Sequence, residues 1–133
     1  MGEVRVFIGV GQEVPAAVAQ GDALLAAGGR AHMITPTLSA VFPEHDEEDL
    51  EYEALWEAAA DCPGRIAVAA ADVPAAWVSE QPEEDAPGHV VVSAQIPLSA
   101  VVSWHIELAE DGPDDELSWY DVTETHEVAR LMA

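Results

Sequence analysis

The side chains best suited to acid–base chemistry are five histidines, and one of them has a candidate nucleophile beside it. Ser103 and His105 lie two residues apart in a segment that alternates like a β-strand, so their side chains should share one face. Asp121 is the candidate for the third member of a hydrolytic triad. No nucleophile-elbow motif positions these residues, and we therefore predict no catalytic residues.

A second cluster, His45 with Asp46, Glu47, Glu48 and Asp49, could attract a hard cation. The cluster lacks the glycine turn and ligand spacing of a calcium-binding loop, and no two histidines form a His-x-x-x-His pair. Acidic residues are expected here in any case, because they favour the positive end of a helix dipole. We therefore predict a solvated helix start and no metal site.

Two glycines, Gly9 and Gly11, follow the first predicted strand and precede a helix, where a phosphate-binding loop would lie. The third glycine of the dinucleotide fingerprint is missing, and Glu13 would place a carboxylate beside the phosphates. The chain also contains no lysine. We therefore predict no nucleotide and no other cofactor. Cys62, the only cysteine, lies on a predicted apolar helix stripe, where a buried thiol is inert.

The four tryptophans divide into predicted core residues and candidate interface anchors. Trp56 lies on a helix stripe and Trp104 alternates with apolar residues, so both are expected in the core. Trp77 and Trp119 lie in irregular segments, and one of them could be an exposed anchor, although partial burial is the commoner fate of tryptophan. The candidate interaction residues are His45, Asp46, Glu47, Glu48, Asp49, Trp77, Trp119, Tyr120 and Asp121.

Charge excludes several classes of partner. The 133 residues include 26 acidic and 4 basic side chains, a formal net charge of -22. Nucleic acids and anionic membrane surfaces are bound through clustered lysine or arginine, and four dispersed arginines cannot form such a track. A basic protein remains a plausible partner, and the alternative is that the acids serve only solubility. The oligomeric state is left open by the sequence.

The length is typical of one domain, and we expect a single domain over residues 1–133. A lone cysteine suits a reducing compartment, the first residues do not resemble a secretory signal, and no apolar run reaches membrane-spanning length. The sequence therefore predicts a cytoplasmic protein.

Hydrophobic periodicity predicts the order β-α-β-(α)-α-β-β-β-α. Early alternation of strands and helices, followed by consecutive strands, indicates an α+β or α/β two-layer sandwich. It would have a mixed sheet of about five strands, with about two to three helices mostly on one face. The predicted strands cover 4–10, 31–35, 65–73, 90–96 and 99–108, with an extended piece at 117–122. The predicted helices cover 16–27, 46–62 and 123–132, with one further turn at 37–42.

Several short blocks of the sequence resemble a small actinobacterial family that is described only as a domain of unknown function. The blocks cover residues 31–36, 42–52, 68–74, 103–107 and 117–124, so the resemblance extends over most of the chain. It implies a cytoplasmic actinobacterial protein and no particular activity or catalytic residue.

Two functions of different classes follow from these observations. The first is a non-enzymatic acidic adaptor or regulatory domain that binds a basic protein surface. The second is a small enzyme or ligand-binding domain, with a cleft near the carboxyl ends of the early strands. Gly9, Gly11, Thr35 and the start of the 46–61 helix would border that cleft.

Overall fold

Within residues 2–133, which a computed structural model describes, seven β-strands form one sheet and four α-helices lie against it. The strands are β1 (Glu3–Gly9), β2 (Gly29–His32), β3 (Ala67–Pro74), β4 (Val78–Glu80), β5 (His89–Val92), β6 (Val101–Ile106) and β7 (Ser118–Asp121). The helices are α1 (Val14–Ala19), α2 (Pro36–Val41), α3 (Glu47–Ala59) and α4 (Thr125–Met132). Short 3₁₀ turns cover Ala75–Trp77, Leu98–Ala100 and Val122–Glu124.

The sheet has the order β4-β5-β2-β1-β3-β6-β7, and every paired strand is antiparallel. The α+β class is confirmed, but the sheet is antiparallel rather than mixed, and it has more strands than predicted. A parallel connection needs a helix long enough to carry the chain back along the sheet. Since α1 has only 6 residues, β2 starts at the end of the sheet where β1 stops.

Helices cover both faces of the sheet, so the layers differ from the predicted two-layer sandwich. Val6 and Ile8 of β1 point to one face, where they pack in a core with Val18 of α1 and Val128 of α4. Phe7 points to the other face and packs against α2 and α3. The central strands carry apolar side chains on both faces, and each face needs its own cover.

The predicted helix over 16–27 ends early, because Gly21 adopts a φ of 110° that continues no helix. The chain then runs beside the segment after β5, where the Leu24 amide donates to the Ile96 carbonyl over 2.8 Å. Leu25 forms an antiparallel bridge with Ile96, so a tertiary contact overrides the helical propensity of this segment.

The start of α3 is confirmed, since the Asp46 carboxylate accepts a hydrogen bond from the Asp49 amide over 2.8 Å. The buried face of this helix is rotated about the helix axis relative to the predicted apolar stripe. Leu55 and Ala59 are buried as expected, but Tyr52 is 49% exposed. The buried residues of α3 are Leu50, Ala54, Leu55, Ala58 and Ala59. Tyr52 and Trp56 instead face the β6–β7 side of the sheet.

The later elements are shorter than their patterns indicated. The strand predicted over 90–96 ends at Val92, and β4 forms from residues outside the predicted strands. The terminal helix starts at Thr125, because a capping box between Asp121 and Glu124 first closes a 3₁₀ turn. None of the helices over residues 2–133 combines the length and apolar character needed to cross a membrane.

Gly9 lies where α3 comes closest to the sheet, so its role is packing rather than phosphate binding. A Cβ at this position would lie 2.0 Å from the carbonyl oxygen of Ala58. We expect Gly9→Ala to lower the free energy of unfolding by about 3 kcal/mol, because backbone cannot give way as a side chain can. Urea unfolding measures the loss. Gly2→Ala is the matched control, since a Cβ there meets nothing within 4 Å. Equal stability of the two variants would contradict this assignment.

Candidate functional site

Polar and aromatic side chains gather on the α3 side of the sheet. By the alternation of strand side chains, His32, His105 and Ser103 lie on the same face as Phe7, which packs against α2 and α3. The opposite core contains apolar side chains from the sheet, α1 and α4. Helix α3 covers only the middle of its face, and features beside each flank of the helix are the candidates for function.

On the β2–β5 flank, a fully buried imidazole lies between two carboxylates. His32 Nδ1 is 2.9 Å from an oxygen of Glu57, and its Nε2 is 2.6 Å from an oxygen of Asp61. Burial disfavours the imidazolium, but hydrogen bonds and charge from Glu57 and Asp61 outweigh that penalty and raise the pKa of His32. The arrangement favours the charged form of His32, which pairs with Glu57 on α3 and with Asp61 just beyond the end of that helix.

The same carboxylates hold the loop that connects β4 to β5. Both oxygens of Glu57 accept a hydrogen bond from the Gly88 amide, at 3.2 and 3.1 Å. Arg30 pairs with Asp61 and, through two hydrogen bonds of 3.2 and 2.9 Å, with Glu83. Hydrogen bonding to Arg30 lowers the pKa of the Glu83 carboxyl. Residues 81–85 of this loop are exposed and Ala86 and Gly88 are buried; Gly88 joins the loop to α3, and Glu83 joins it to β2.

His89 lies beside this network, with its ring centroid 5.6 Å from that of His32. Its Nδ1 is 2.7 Å from the Gln81 carbonyl oxygen, and its Nε2 is buried without a hydrogen-bond partner. Among residues 2–133, no three His, Cys, Asp or Glu side chains are arranged to hold a metal ion. The ion pairs of His32 and Arg30 join β2 to α3, to Asp61 and to the loop before β5.

On the β6 flank, the two residues singled out for nucleophilic chemistry do meet. Ser103 Oγ is 3.1 Å from His105 Nε2, and burial followed by the charge of Arg5 lowers the pKa of His105. Asp121 lies opposite Ser103 in the sheet, but its carboxylate accepts hydrogen bonds from the amide and hydroxyl of Thr123. The Asp121 carboxylate, the candidate for a third triad member, thus bonds to Thr123, and the lowered pKa of His105 favours its neutral form.

Beside this pair lies a groove between α3 and the end of the sheet, which we call the aromatic groove. Its volume is about 230 Å³. Trp119 is 60% exposed and Tyr52 is 49% exposed, although both are large apolar side chains. The groove is lined by Tyr52, Leu55, Trp56, His105, Glu116, Leu117 and Trp119.

Each of three acidic clusters in the sequence, at 46–49, 83–85 and 110–116, has at least one residue on the α3 side of the sheet. Residues 46–49 cap and begin α3 itself. Glu83 of the second cluster contacts Arg30, which also contacts Asp61 at the end of α3. Glu116 of the third cluster lines the aromatic groove. These carboxylates lie on the same side of the sheet as the exposed side chains of Tyr52 and Trp119.

Of the candidate interaction residues, only Trp119 lies in the aromatic groove. His45 stacks on Phe42 with ring centroids 4.8 Å apart, and its Nε2 is 3.3 Å from a Glu53 carboxylate oxygen. Trp77 and Tyr120 are half-buried and pack against the core on the opposite face. Asp46 and Asp121 act as caps, while Glu47, Glu48 and Asp49 form the exposed first turn of α3.

The sequence does not indicate that Tyr52 and Trp56 line a groove together with Trp119. Tyr52 and Trp56 are four residues apart on α3 and form an edge-to-face pair with ring centroids 6.1 Å apart. The spacing is present in the sequence, but it also fits an apolar helix stripe that faces the core. Glu116 had no local signal, because it is one acid in an acidic run.

The four features expected to border a ligand cleft do not line one cleft, although the start of α3 does border a groove of about 400 Å³ together with Met33 and Ile34 after β2. Thr35 is buried, accepting a hydrogen bond from the Leu38 amide and donating one to the Pro87 carbonyl. Gly9 lies against Ala58. The rule that placed a cleft at the strand ends holds for parallel sheets, and this sheet is antiparallel.

A family model described as "Family of unknown function (DUF6912)" matches residues 4–114. The chain belongs to this family. The matched range includes α3 and β6, whereas β7 with Trp119 follows it. No curated protein and no solved structure matches the chain significantly.

Proposed function

We propose that this protein is a non-enzymatic, cytoplasmic adaptor or regulatory domain that binds a basic segment of another protein through the aromatic groove. The observation that carries the proposal is the exposure of Trp119 and Tyr52 beside Glu116, in a chain whose net charge is -22. Isolated exposed apolar residues are ordinary, but aromatic side chains that converge on a groove are typical of interaction sites.

The groove offers three features that a cationic side chain needs. The faces of tryptophan and tyrosine rings attract cations, an interaction of roughly 0.5–2 kcal/mol that is strongest for tryptophan. Glu116 provides a carboxylate at the groove wall. His105 lines the same groove with a lowered pKa, so it adds no positive charge that would repel the guest.

The acidic clusters support recognition at longer range. Charges of one sign on one side of a molecule raise the association rate of an oppositely charged partner and exclude partners of like charge. A cytoplasmic location is part of this proposal, and the lone cysteine supports it, since Cys62 has no second cysteine to pair with. The resemblance of the sequence to an actinobacterial family supports an actinobacterial origin.

The proposal predicts that Trp119→Ala weakens binding of a basic peptide by about tenfold, which corresponds to the loss of one cation–π contact. The probe is a short peptide that alternates arginine and valine, titrated into the protein by isothermal calorimetry at low salt. Affinity should fall as salt rises, because the attraction between exposed charges is screened.

Two controls distinguish recognition of a cation at the aromatic groove from nonspecific binding to exposed apolar side chains. Val41→Ala removes another large apolar side chain that is 54% exposed, on α2, and should leave the affinity unchanged. A peptide with citrulline in place of arginine should bind much more weakly. Equal binding of the citrulline peptide, or unchanged binding by Trp119→Ala, would show that the aromatic groove is not a site for cations.

A further inference from the structure

The strand that carries Trp119 is the edge of the sheet, and this placement bears on how a partner would bind. In the order of strands over residues 2–133, β7 has β6 on one side and no strand on the other. An edge strand presents unpaired amide and carbonyl groups to another extended chain. Trp119 is 60% exposed, and the other three residues of β7 are half-buried.

The hydrogen bonding of β7 shows which backbone groups point outward. The Asp121 amide donates to the Glu124 carboxylate over 3.1 Å rather than to β6. Antiparallel pairs alternate between residues that bond to the neighbouring strand and residues that point away from it. Since Trp119 is two residues from Asp121, its amide and carbonyl also point away from β6, toward the open edge.

We propose that a basic, extended segment of the partner adds to this edge as a strand antiparallel to β7, with its basic side chains on the same face as Trp119. This inference rests on the proposed function and specifies the backbone geometry of binding. Residues directly opposite in an antiparallel pair point to the same face, so the residue opposite Trp119 projects toward the aromatic groove.

Charge identifies the occupant. A second copy of the chain would bring another net charge of -22 to this edge, and like charges oppose the approach. Glu116 lies just before β7, Asp121 ends the strand, and residues 114–115 add two further acids. A basic segment is therefore attracted where a second copy is repelled. Strand addition of this kind obtains affinity from main-chain hydrogen bonds and specificity from alternate side chains.

The test uses two modified forms of the arginine–valine peptide. One carries N-methyl groups on its arginine residues, and the other carries them on its valine residues. Opposite Trp119 the arginine amide faces β7, so methylation of the arginines should weaken binding about tenfold or more, by removing main-chain hydrogen bonds. Methylation of the valines should have little effect, because those amides face solvent. In parallel, amide exchange of Trp119 should slow on binding of the unmodified peptide.

The outcomes separate this inference from the proposal on which it rests. If both methylated peptides bind as tightly as the parent peptide, strand addition is wrong, while recognition of a cation by the aromatic groove stands. If the unmodified peptide does not bind at all, both proposals fail. If only arginine methylation weakens binding and the Trp119 amide becomes protected, the geometry is confirmed.

Discussion

His32→Ala is expected to lower the free energy of unfolding by about 4 kcal/mol. Removing one partner of a buried ion pair leaves an uncompensated charge and costs roughly 3–5 kcal/mol. In this protein two carboxylates lose their partner, since Glu57 and Asp61 both contact the imidazole. In the variant, Asp61 still pairs with Arg30, and Glu57 still accepts a hydrogen bond from the Gly88 amide. Because of these remaining contacts, we expect a loss of stability in the middle of that range.

Urea unfolding followed by far-ultraviolet circular dichroism measures this loss. His126→Ala is the matched control, since His126 is exposed on α4, and its effect should stay within about 0.5 kcal/mol. Glu57→Gln is a milder variant, which keeps the volume of the side chain and removes only its charge. A loss at His32 no larger than at His126 would show that the ion-pair network contributes little to stability.

The stabilisation from His32 also has a definite pH dependence. Its pKa in the folded protein is raised above the unfolded value of about 6.5, so the folded state binds more protons between those two values. The contribution is fully present below about pH 6.5 and is lost as the pH rises through the raised pKa. The stability difference between the wild type and His32→Ala should therefore shrink at alkaline pH. A difference that stays constant across this window would contradict a charged His32.

Trp104→Ala is expected to cost about 4 kcal/mol as well, through a different mechanism. Trp104 is fully buried in β6, and its indole N–H donates to Thr125 Oγ1 at the start of α4 over 3.0 Å. Truncation of a buried tryptophan leaves a cavity and costs roughly 3–5 kcal/mol. Here it also removes the hydrogen bond that joins α4 to the sheet.

Two further tryptophan variants test this explanation. Trp104→Phe keeps most of the packing and loses the hydrogen bond, so its cost should be about 2 kcal/mol. Trp119→Ala truncates the same residue type at an exposed position and should change stability by less than about 0.5 kcal/mol. Urea unfolding of the three variants gives the ranking. A cost at Trp119 that equals the cost at Trp104 would mean that Trp119 is part of the core.

Much of the fold could be predicted where interactions are local. The N-terminus of α3 depends on Asp46 and the Asp49 amide, three residues apart, and the sequence shows both. The burial of Trp104 follows from its alternation with apolar neighbours in β6. In both cases the residues that determine the structure are neighbours in the chain.

The sequence predictions were wrong where a local pattern is compatible with two structures. The alanine- and leucine-rich stretch after Pro15 favours helix by propensity, yet its second half is not helical, and Leu25 forms an antiparallel bridge with Ile96. Tyr52 fits an apolar stripe, but it lies on the side of α3 that faces the groove beside β6 and β7. Propensity and periodicity state what a segment prefers, and its tertiary neighbours decide between the alternatives.

The sequence by itself determined the α+β class, the cap of α3 and the excess of acidic side chains. Only the tertiary structure decided the antiparallel order of the sheet, the position of His32 between two carboxylates and the placement of Tyr52 and Trp119 along one groove. The reason is physical: Glu57 and Asp61 are 25 and 29 positions from His32, and such contacts depend on the packing of α3 across the sheet. No local pattern of residues specifies a contact over that distance.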